Sequence, residues 1–416
     1  MEPPPPDLPD DIVGEFLIRL PPDDPACLLR ASLACKRWRR ILAGPAFRRR
    51  HRELHRAPSV VGFIRSVKGD DGHVRRFVPN NPASGVPAAR DLPGWITLDC
   101  RHGRVLFLAP TADCIREYQE DRICDLIVWD PLTNEQHRLP RPSPPPTTCG
   151  YRFNAAVLCA AAAEGCDHRN CHGGPFRVAF VRTHGHFFST FDPYVTSARV
   201  YSSETGDWSE PTSVRDHPDN IDTVPCRSAL VGDTLYFRRS WMHIFEYQLG
   251  AQRLSIIDGP PESLLQSLAI YLISMGDGVL GCVDVEEEST SLRLRLWSRE
   301  AAPSGDGVGR WTKGRAIELE RILPDGALPV SWLAPAPPRV PRISRLAFAE
   351  GTDVIFVGTH MLGHPSAVYM VQLNSGMARK VLDECSLFIP YTSFCIPVTD
   401  AASVIEGTRE EGTSSA

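Results

Sequence analysis

The densest group of chemically able side chains in this sequence is Cys166-x-His168-x-x-Cys171-His172, set in a Gly-rich stretch with Cys159 a little upstream. Thiolates and imidazoles are the donors zinc prefers, and a structural zinc site takes four of them. The spacing here is compressed and holds no paired Cys-x-x-Cys knuckle. It predicts a solvated connection between two strands, with no metal bound. His184-Gly185-His186 is a weaker version of the same chemistry. Gly276-Asp277-Gly278 and Gly305-Asp306-Gly307 are turn glycines, and neither opens a helix that would cradle a phosphate. No nucleophile elbow, zincin helix or kinase signature occurs. The expectation is no catalytic residue, no metal and no cofactor.

Composition bounds the scaffold that carries these residues. With 416 residues, 42% hydrophobic and 23% charged, the chain has room for one large all-β domain and a small module. Its 38 prolines, against 8% aromatic residues, favour many short strands joined by Pro-rich loops. No apolar run reaches the ~18 residues of a membrane span, and the acidic, Pro-rich N-terminus lacks the apolar stretch of a secretory signal. The 13 scattered cysteines predict reduced thiols and a place in the cytoplasm or nucleus. A net charge of -5 predicts no nucleic-acid partner. The basic run Arg48-Arg49-Arg50-His51-Arg52 reads as the exposed face of a linking helix in preference to a localisation or phosphate-binding patch.

Along the chain, residues 1–7 read as a disordered Pro-rich tail and residues 8–56 as a helical unit. Ile12, Val13, Phe16, Leu17 and Leu20 share one helix face, with Asp10 and Asp11 at the positive end of its dipole. Pro21 and Pro22 stop that helix, and Asp24-Pro25 opens a second carrying Leu28, Leu29 and Leu33. A third spans Lys36 to Ala43, and a short fourth is expected over Phe47 to His55.

Residues 59–400 change period and read as about six antiparallel modules of propeller-blade length. Each joins an apolar strand to a second strand that ends in a polar turn. Examples are Arg104–Leu108 with Leu126–Asp130 and the turn Pro131–Asn134, and Arg177–Val181 with Ala198–Tyr201 and the turn Glu204–Gly206. The apolar strand is expected to be the innermost of its module. The Trp and Tyr residues of the turns are expected to pack between blades. The segment Leu387 to Pro397 is expected to complete a blade begun at the other end of the chain. The only later helix expected is Glu262 to Ile270, and residues 401–416 read as a disordered tail. The overall expectation is an α+β multidomain chain, a small three-helix unit followed by an all-β propeller-like domain, with a pair of irregular sandwiches as the alternative.

The helical segment resembles the F-box motif. Leu8-Pro9-Asp10-Asp11-Ile12-Val13, Glu15-Phe16-Leu17, Arg19-Leu20-Pro21, Leu28-Leu29-Arg30-Ala31-Ser32-Leu33 and Cys35-Lys36-Arg37-Trp38-Arg39-Arg40-Ile41-Leu42 carry the likeness, with a link from Pro22 to Cys27 longer and more acidic than usual. The resemblance implies docking on a Skp-type adaptor, and through it a cullin scaffold, by Leu8, Pro9, Ile12, Phe16, Leu17, Leu20, Pro21, Leu28, Leu29 and Trp38. A unit this small leaves apolar side chains over for a partner's groove.

More loosely, Val128–Asn134 and Val200–Trp208 resemble plant-type F-box-associated and kelch-like propellers, although the double glycine of a regular kelch blade is missing. The implied function is substrate recognition for an SCF-type ubiquitin ligase, without catalysis of its own. The alternatives are a propeller enzyme with a helical cap and an F-box protein acting outside ubiquitin ligation. Some of the strand-poor segments Arg141–Thr148, Glu164–Gly174, Pro211–Pro225 and Pro335–Pro341, Glu164–Gly174 among them, are expected to gather away from the helical unit and hold the unknown target protein.

Overall fold

The computed structural model describes residues 8–394 apart from 21–24, 56–57, 70–71, 81–89, 111–123, 144–152, 162–165, 167, 169–170, 172, 185–193, 217–226, 241–242, 262–269, 276–277, 288–291, 301–308, 329–342, 362–363 and 384–386. Four helices come first: α1 (Asp10–Leu17), α2 (Pro25–Ala34), α3 (Lys36–Ala43) and α4 (Pro45–Leu54). Their ends follow local chemistry. Asp10 and Asp11 occupy the first turn of α1, the Cys35 side chain caps α3 by accepting from the Trp38 N–H, and Pro45 stands in the first turn of α4. That proline starts α4 earlier than the Phe47 expected. Val13, Leu17, Ile18, Leu28, Ala31, Leu42 and Phe47 form the core of this unit. The residues expected to end α1 and cap α2, Pro21, Pro22 and Asp24, lie outside the described residues.

Among the described residues that follow, the strands form six four-stranded antiparallel sheets. β1 (Ser59–Gly69), β2 (Gly72–Pro79) and β3 (Arg90–Pro93) are the outer strands of the first blade. The second blade is β4 (Ile96–Arg101), β5 (Arg104–Pro110), β6 (Cys124–Trp129) and β7 (Gln136–Arg138). The third is β8 (Phe153–Cys159), β9 (Phe176–His184), β10 (Tyr194–Ser202) and β11 (Thr212–Asp216). The fourth is β12 (Ala229–Val231), β13 (Thr234–Arg238), β14 (His243–Gln248) and β15 (Arg253–Asp258). The fifth is β16 (Ile270–Met275), β17 (Val279–Glu287), β18 (Leu292–Glu300) and β19 (Arg310–Glu318), followed by the single turn α5 (Leu319–Ile322). The sixth is β20 (Ile343–Phe348), β21 (Val354–Met361), β22 (His364–Gln372) and β23 (Ala378–Asp383). Finally β24 (Phe388–Ser393) returns to pair with β1, Ser393 opposite Ser59 and Phe388 opposite Arg65. The result is a six-bladed β-propeller closed by strands from both ends of the domain.

One expectation is corrected here. The apolar strands singled out in the sequence, such as Arg104–Leu108 and Arg177–Val181, are the second strands of their blades. The innermost strand of each complete blade, such as β4 or β8, precedes it. Those inner strands include buried polar residues, Asp99 on β4 and Asn154 on β8, so apolar patterning passes over them. Ile270, expected to end a helix, begins strand β16, and residues 262–269 lie outside the described residues.

A four-stranded sheet with two apolar faces cannot be stable alone, and the blades bury those faces against each other. The core is accordingly divided among the blade junctions. Leu106, Leu126 and Val128 meet Ala155, Val178 and Phe180 between the second and third blades. Phe63 and Phe388 meet Phe356, Val368 and Met370 where the sixth joins the first. The aromatic residues near the turns do lie at these junctions. Trp129 packs edge-on to Phe77 of the first blade, Trp208 donates to the Pro140 carbonyl at 2.8 Å, and Trp311 donates to the Asp258 carbonyl at 2.8 Å.

Candidate functional site

The helical unit is held by charge as well as by its core. The Asp10 carboxylate accepts from Arg37 Nε at 2.6 Å and from Arg40 Nη2 at 3.0 Å, and Arg37 also donates to the Leu8 carbonyl. The Arg37 hydrogen bond, with help from Arg40, holds the Asp10 carboxyl below its usual range. Arg50 of α4 pairs with Glu15 of α1, and His55 Nε2–H donates to the Ile18 carbonyl at 2.7 Å. The basic residues that crowd this stretch are therefore partly clamps that fix α1 on α3 and α4. What α1 leaves outward is apolar. Leu8 is 53% exposed, Ile12 43% and Phe16 65%, one residue per helical turn along a single stripe. Leu33, near the end of α2, is 63% exposed.

A cavity of about 1370 Å³ is lined by residues of inner strands β4, β12, β16, β20 and β24 and by Trp297 and Arg315 of the fifth blade. A buried ionic network stands at its wall. Arg101, at the end of β4, donates to Asp99 Oδ2 at 3.0 Å, to Glu350 Oε2 at 2.6 Å and to the Ser228 carbonyl at 2.8 Å. Asp99 also accepts from the Val157 N–H at 3.0 Å, and Arg227 adds contacts to Asp99 at 3.6 Å and Glu350 at 3.4 Å. Burial holds the Asp99 carboxyl above its ordinary value, against the pull of Arg101 and Arg227. Arg101 Nη1 also reaches Ser228 Oγ at 3.2 Å, so its guanidinium ties β4 to the segment before β12 and to Glu350. The sequence reading did not find this cluster, because its members are far apart in the chain.

The thiols of the β8–β9 connection form a third group. Cys159, Cys166, His168 and Cys171 bring one ligand atom each to within 4.8 Å of all the others. His168 Nδ1 lies 3.3 Å from Cys159 Sγ and 3.7 Å from Cys171 Sγ, and the His168 N–H donates to Cys166 Sγ at 3.4 Å. The contact with Cys171, together with burial, pushes the Cys159 thiol up to about 12. The spacing had singled out His172 as a fourth donor, but that residue lies outside the described residues. Cys159, at the end of β8, is the residue that joins the group.

Residues 5–50 match the family model described as F-box domain. The N-terminal unit is an F-box domain. No curated protein matches the chain. Among solved structures, a Bacteroides thetaiotaomicron protein of unknown function shares 12% identity at a TM-score of 0.32, over 78% of this chain and 73% of the other. The periplasmic gluconolactonase PpgL of Pseudomonas aeruginosa shares 12% at 0.38, over 78% and 82%. A puromycin-hydrolyzing peptidase of Mycobacterium tuberculosis shares 16% at 0.36, over 78% and 45%. Likenesses this distant bear on no activity.

Within the F-box domain, the residues named from sequence divide by burial. Leu8, Pro9, Ile12 and Phe16 face solvent, and Leu20 and Trp38 are half-buried against the core. Leu17, Leu28 and Leu29 are buried, so they shape the surface from beneath. Pro21 lies outside the described residues. Exposed Leu33 was absent from the docking set, although it stands one turn beyond Leu29 on the same helix.

The strand connections also show at which propeller face the chain enters from the F-box domain. Ser59 pairs with Ser393, so the chain from the helices arrives where the inner strands end. The β8–β9 connection, Glu164–Gly174, starts from that same end, because it follows inner strand β8. It therefore departs from the expectation that it lies away from the helices. The connections β7–β8 and β19–β20, which contain Arg141–Thr148 and Pro335–Pro341, lead into the start of an inner strand and belong to the opposite face, as does the β11–β12 connection; Pro211–Pro225, expected as a loop, is in its first part strand β11 (Thr212–Asp216). Most of those three loops lies outside the described residues.

Proposed function

We propose that the protein is the substrate-recognition subunit of an SCF-type cullin–RING ubiquitin ligase, docking through its F-box domain on a Skp-type adaptor and holding a target protein on its propeller. One observation carries this reading: an F-box domain whose stripe Leu8, Ile12, Phe16 stays uncovered is joined to a closed propeller. Such a protein performs no chemistry; it raises the local concentration of target near a ubiquitin-charged enzyme. The target site is assigned to the face opposite the F-box connection, where the β7–β8, β11–β12 and β19–β20 loops emerge. Free thiols at Cys35, Cys100, Cys159, Cys166, Cys171 and Cys282 fit work in the cytoplasm or nucleus.

The test is co-purification of the full chain with a Skp-type adaptor. Replacing Leu8 and Pro9 by Ala, together with Phe16→Ala, removes exposed apolar contacts and leaves the F-box core intact. Three such anchors lost together predict a fall in affinity of about 100-fold or more, with the propeller's thermal transition unchanged. Adaptor capture by the triple variant at wild-type affinity overturns the docking assignment.

A further inference from the structure

We propose that Cys159, Cys166, His168 and Cys171 form a structural zinc site that ties the β8–β9 connection to the propeller face where the F-box domain attaches. This reverses the expectation drawn from spacing. The sequence showed a compressed cluster in a loop, whereas the fold adds a ligand from the end of a strand.

Three observations support the site. The first is geometry. A tetrahedral Zn²⁺ with Zn–S near 2.3 Å and Zn–N near 2.0–2.1 Å places its ligand atoms roughly 3.5–3.8 Å from one another. The His168 Nδ1 contacts of 3.3 and 3.7 Å to two thiol sulfurs straddle that spacing, and all four ligand atoms fall within 4.8 Å. Three sulfurs and one imidazole nitrogen are a donor set that selects zinc over hard cations.

The second is the surrounding layer, which orients each ligand as metal sites require. His102 stacks on the His168 ring with centroids 3.6 Å apart and planes 12° from parallel. The Cys159 N–H donates to His102 Nδ1 at 3.2 Å, fixing that supporting ring in turn. The His168 N–H points at the Cys166 sulfur, where it stabilises a thiolate. Arg104 donates to the carbonyl of Cys171 at 2.9 Å and to that of Gly174, holding the far end of the connection.

The third is charge. Three thiolates and one Zn²⁺ leave a net single negative charge, and three protons are released to solvent as the site loads. The buried Arg104 guanidinium, whose Nη1 finds no hydrogen-bond partner among the described residues, lies beside Cys171 and is the counter-charge for it. A loop that would otherwise be a long irregular excursion is thereby closed by four bonds to one ion. The role is structural, because all four positions are protein ligands and none remains open for a reacting water.

The experiment is elemental analysis of the purified full chain, paired with cobalt substitution. The expected result is one zinc per chain, and a cobalt form with a thiolate charge-transfer band and the intense ligand-field bands of a tetrahedral site. Cys171→Ser and Cys166→Ser lose the metal and lower the melting temperature, whereas His172→Ala keeps one equivalent. His168→Cys, which preserves a four-ligand set, keeps zinc with a shifted cobalt spectrum, so a folding defect in the serine variants does not decide the matter. A chelator that strips zinc lowers the melting temperature of the wild type and not that of Cys171→Ser. Protein purified with all thiols free, no zinc and no cobalt spectrum overturns the proposal, as does a disulfide within the cluster found by mass spectrometry.

Discussion

His51 illustrates how a single residue can carry more than its sequence position suggests. In the basic run of α4 it is the one member turned inward, packed between Phe47 and His55, and neither ring nitrogen has a hydrogen-bond partner among the described residues. Burial, reinforced by the nearby His55 and Arg52, drives its pKa down to about 4. The sign of the effect follows. Above the unfolded value of about 6.5 the ring is neutral in both states, and its burial contributes fully to stability. As pH falls from there toward 4, the unfolded chain takes up a proton that the folded one refuses, and stability is lost. By linkage the loss between pH 7 and pH 5 is about 2 kcal/mol for this group. His51→Leu removes the titrating ring and should flatten that part of the pH dependence. Amide exchange of α1–α4, measured at pH 7 and pH 5 in both proteins, reads it directly. An unchanged pH difference in the variant refutes the assignment.

At the scale of elements, the turn between the third and fourth strands of a blade recurs with the same chemistry. In the second blade Asp130 accepts from the N–H of Leu132 and of Thr133, and Asn134 closes the turn with φ 63. In the third and sixth blades Gly206 and Gly376 take the corresponding left-handed position, at φ 78 and 67. Each donates its N–H to the carbonyl four residues back, Ser202 and Gln372. Asn and Gly are the residues that tolerate this backbone, which is why these turns were visible in the sequence. A glycine of another kind is Gly62 on β1. A Cβ there would stand 2.7 Å from the Phe77 ring and from the Val78 carbonyl, at the point where the β1–β24 register shifts. Gly62→Val should destabilise the propeller by roughly 1–3 kcal/mol through overpacking at the closing blade, measured as a shift of the denaturant midpoint. No shift would mean that the seam has slack the geometry does not show.

At the scale of the whole molecule, closure depends on β24. It supplies the innermost strand of the first blade, and with it Phe388 and Tyr391, both fully buried. The Tyr391 hydroxyl also donates to the Gly103 carbonyl at 2.9 Å, joining the first blade to the second. Ending the chain after Asp383 opens the ring and exposes the edge of β1 and the facing side chains of the sixth blade. Each buried aromatic removed costs about 3–5 kcal/mol, which together approach the whole stability of an ordinary domain. The truncated protein should therefore lose its cooperative thermal transition and aggregate, while the proposed capture of a Skp-type adaptor by the F-box domain persists. A truncated chain that still melts cooperatively near the wild-type temperature would mean that β24 is dispensable for closure.

The sequence by itself determined what local physics writes down. The helix stripe and its acidic first turn, the order of motifs in the F-box domain, the turns of the blades and the returning strand near Leu387 all depend on residues near one another in the chain. Tertiary structure alone decided the rest. The inner strands escape apolar patterning because they carry buried polar residues such as Asp99 and Asn154, and Val157 and Arg227, which hold Asp99, come from elsewhere in the chain. The ionic network needs Asp99 and Arg101 from β4, Arg227 from just before β12 and Glu350 from the β20–β21 turn, and no spacing rule links them. The split of the residues singled out by the F-box resemblance into exposed Leu8, Ile12 and Phe16 and buried Leu17, Leu28 and Leu29 depends on how α1–α4 pack. The thiol cluster changed its meaning for the same reason. Cys159 ends a strand, Cys171 ends a loop, and only the fold of the β8–β9 connection returns one to the other.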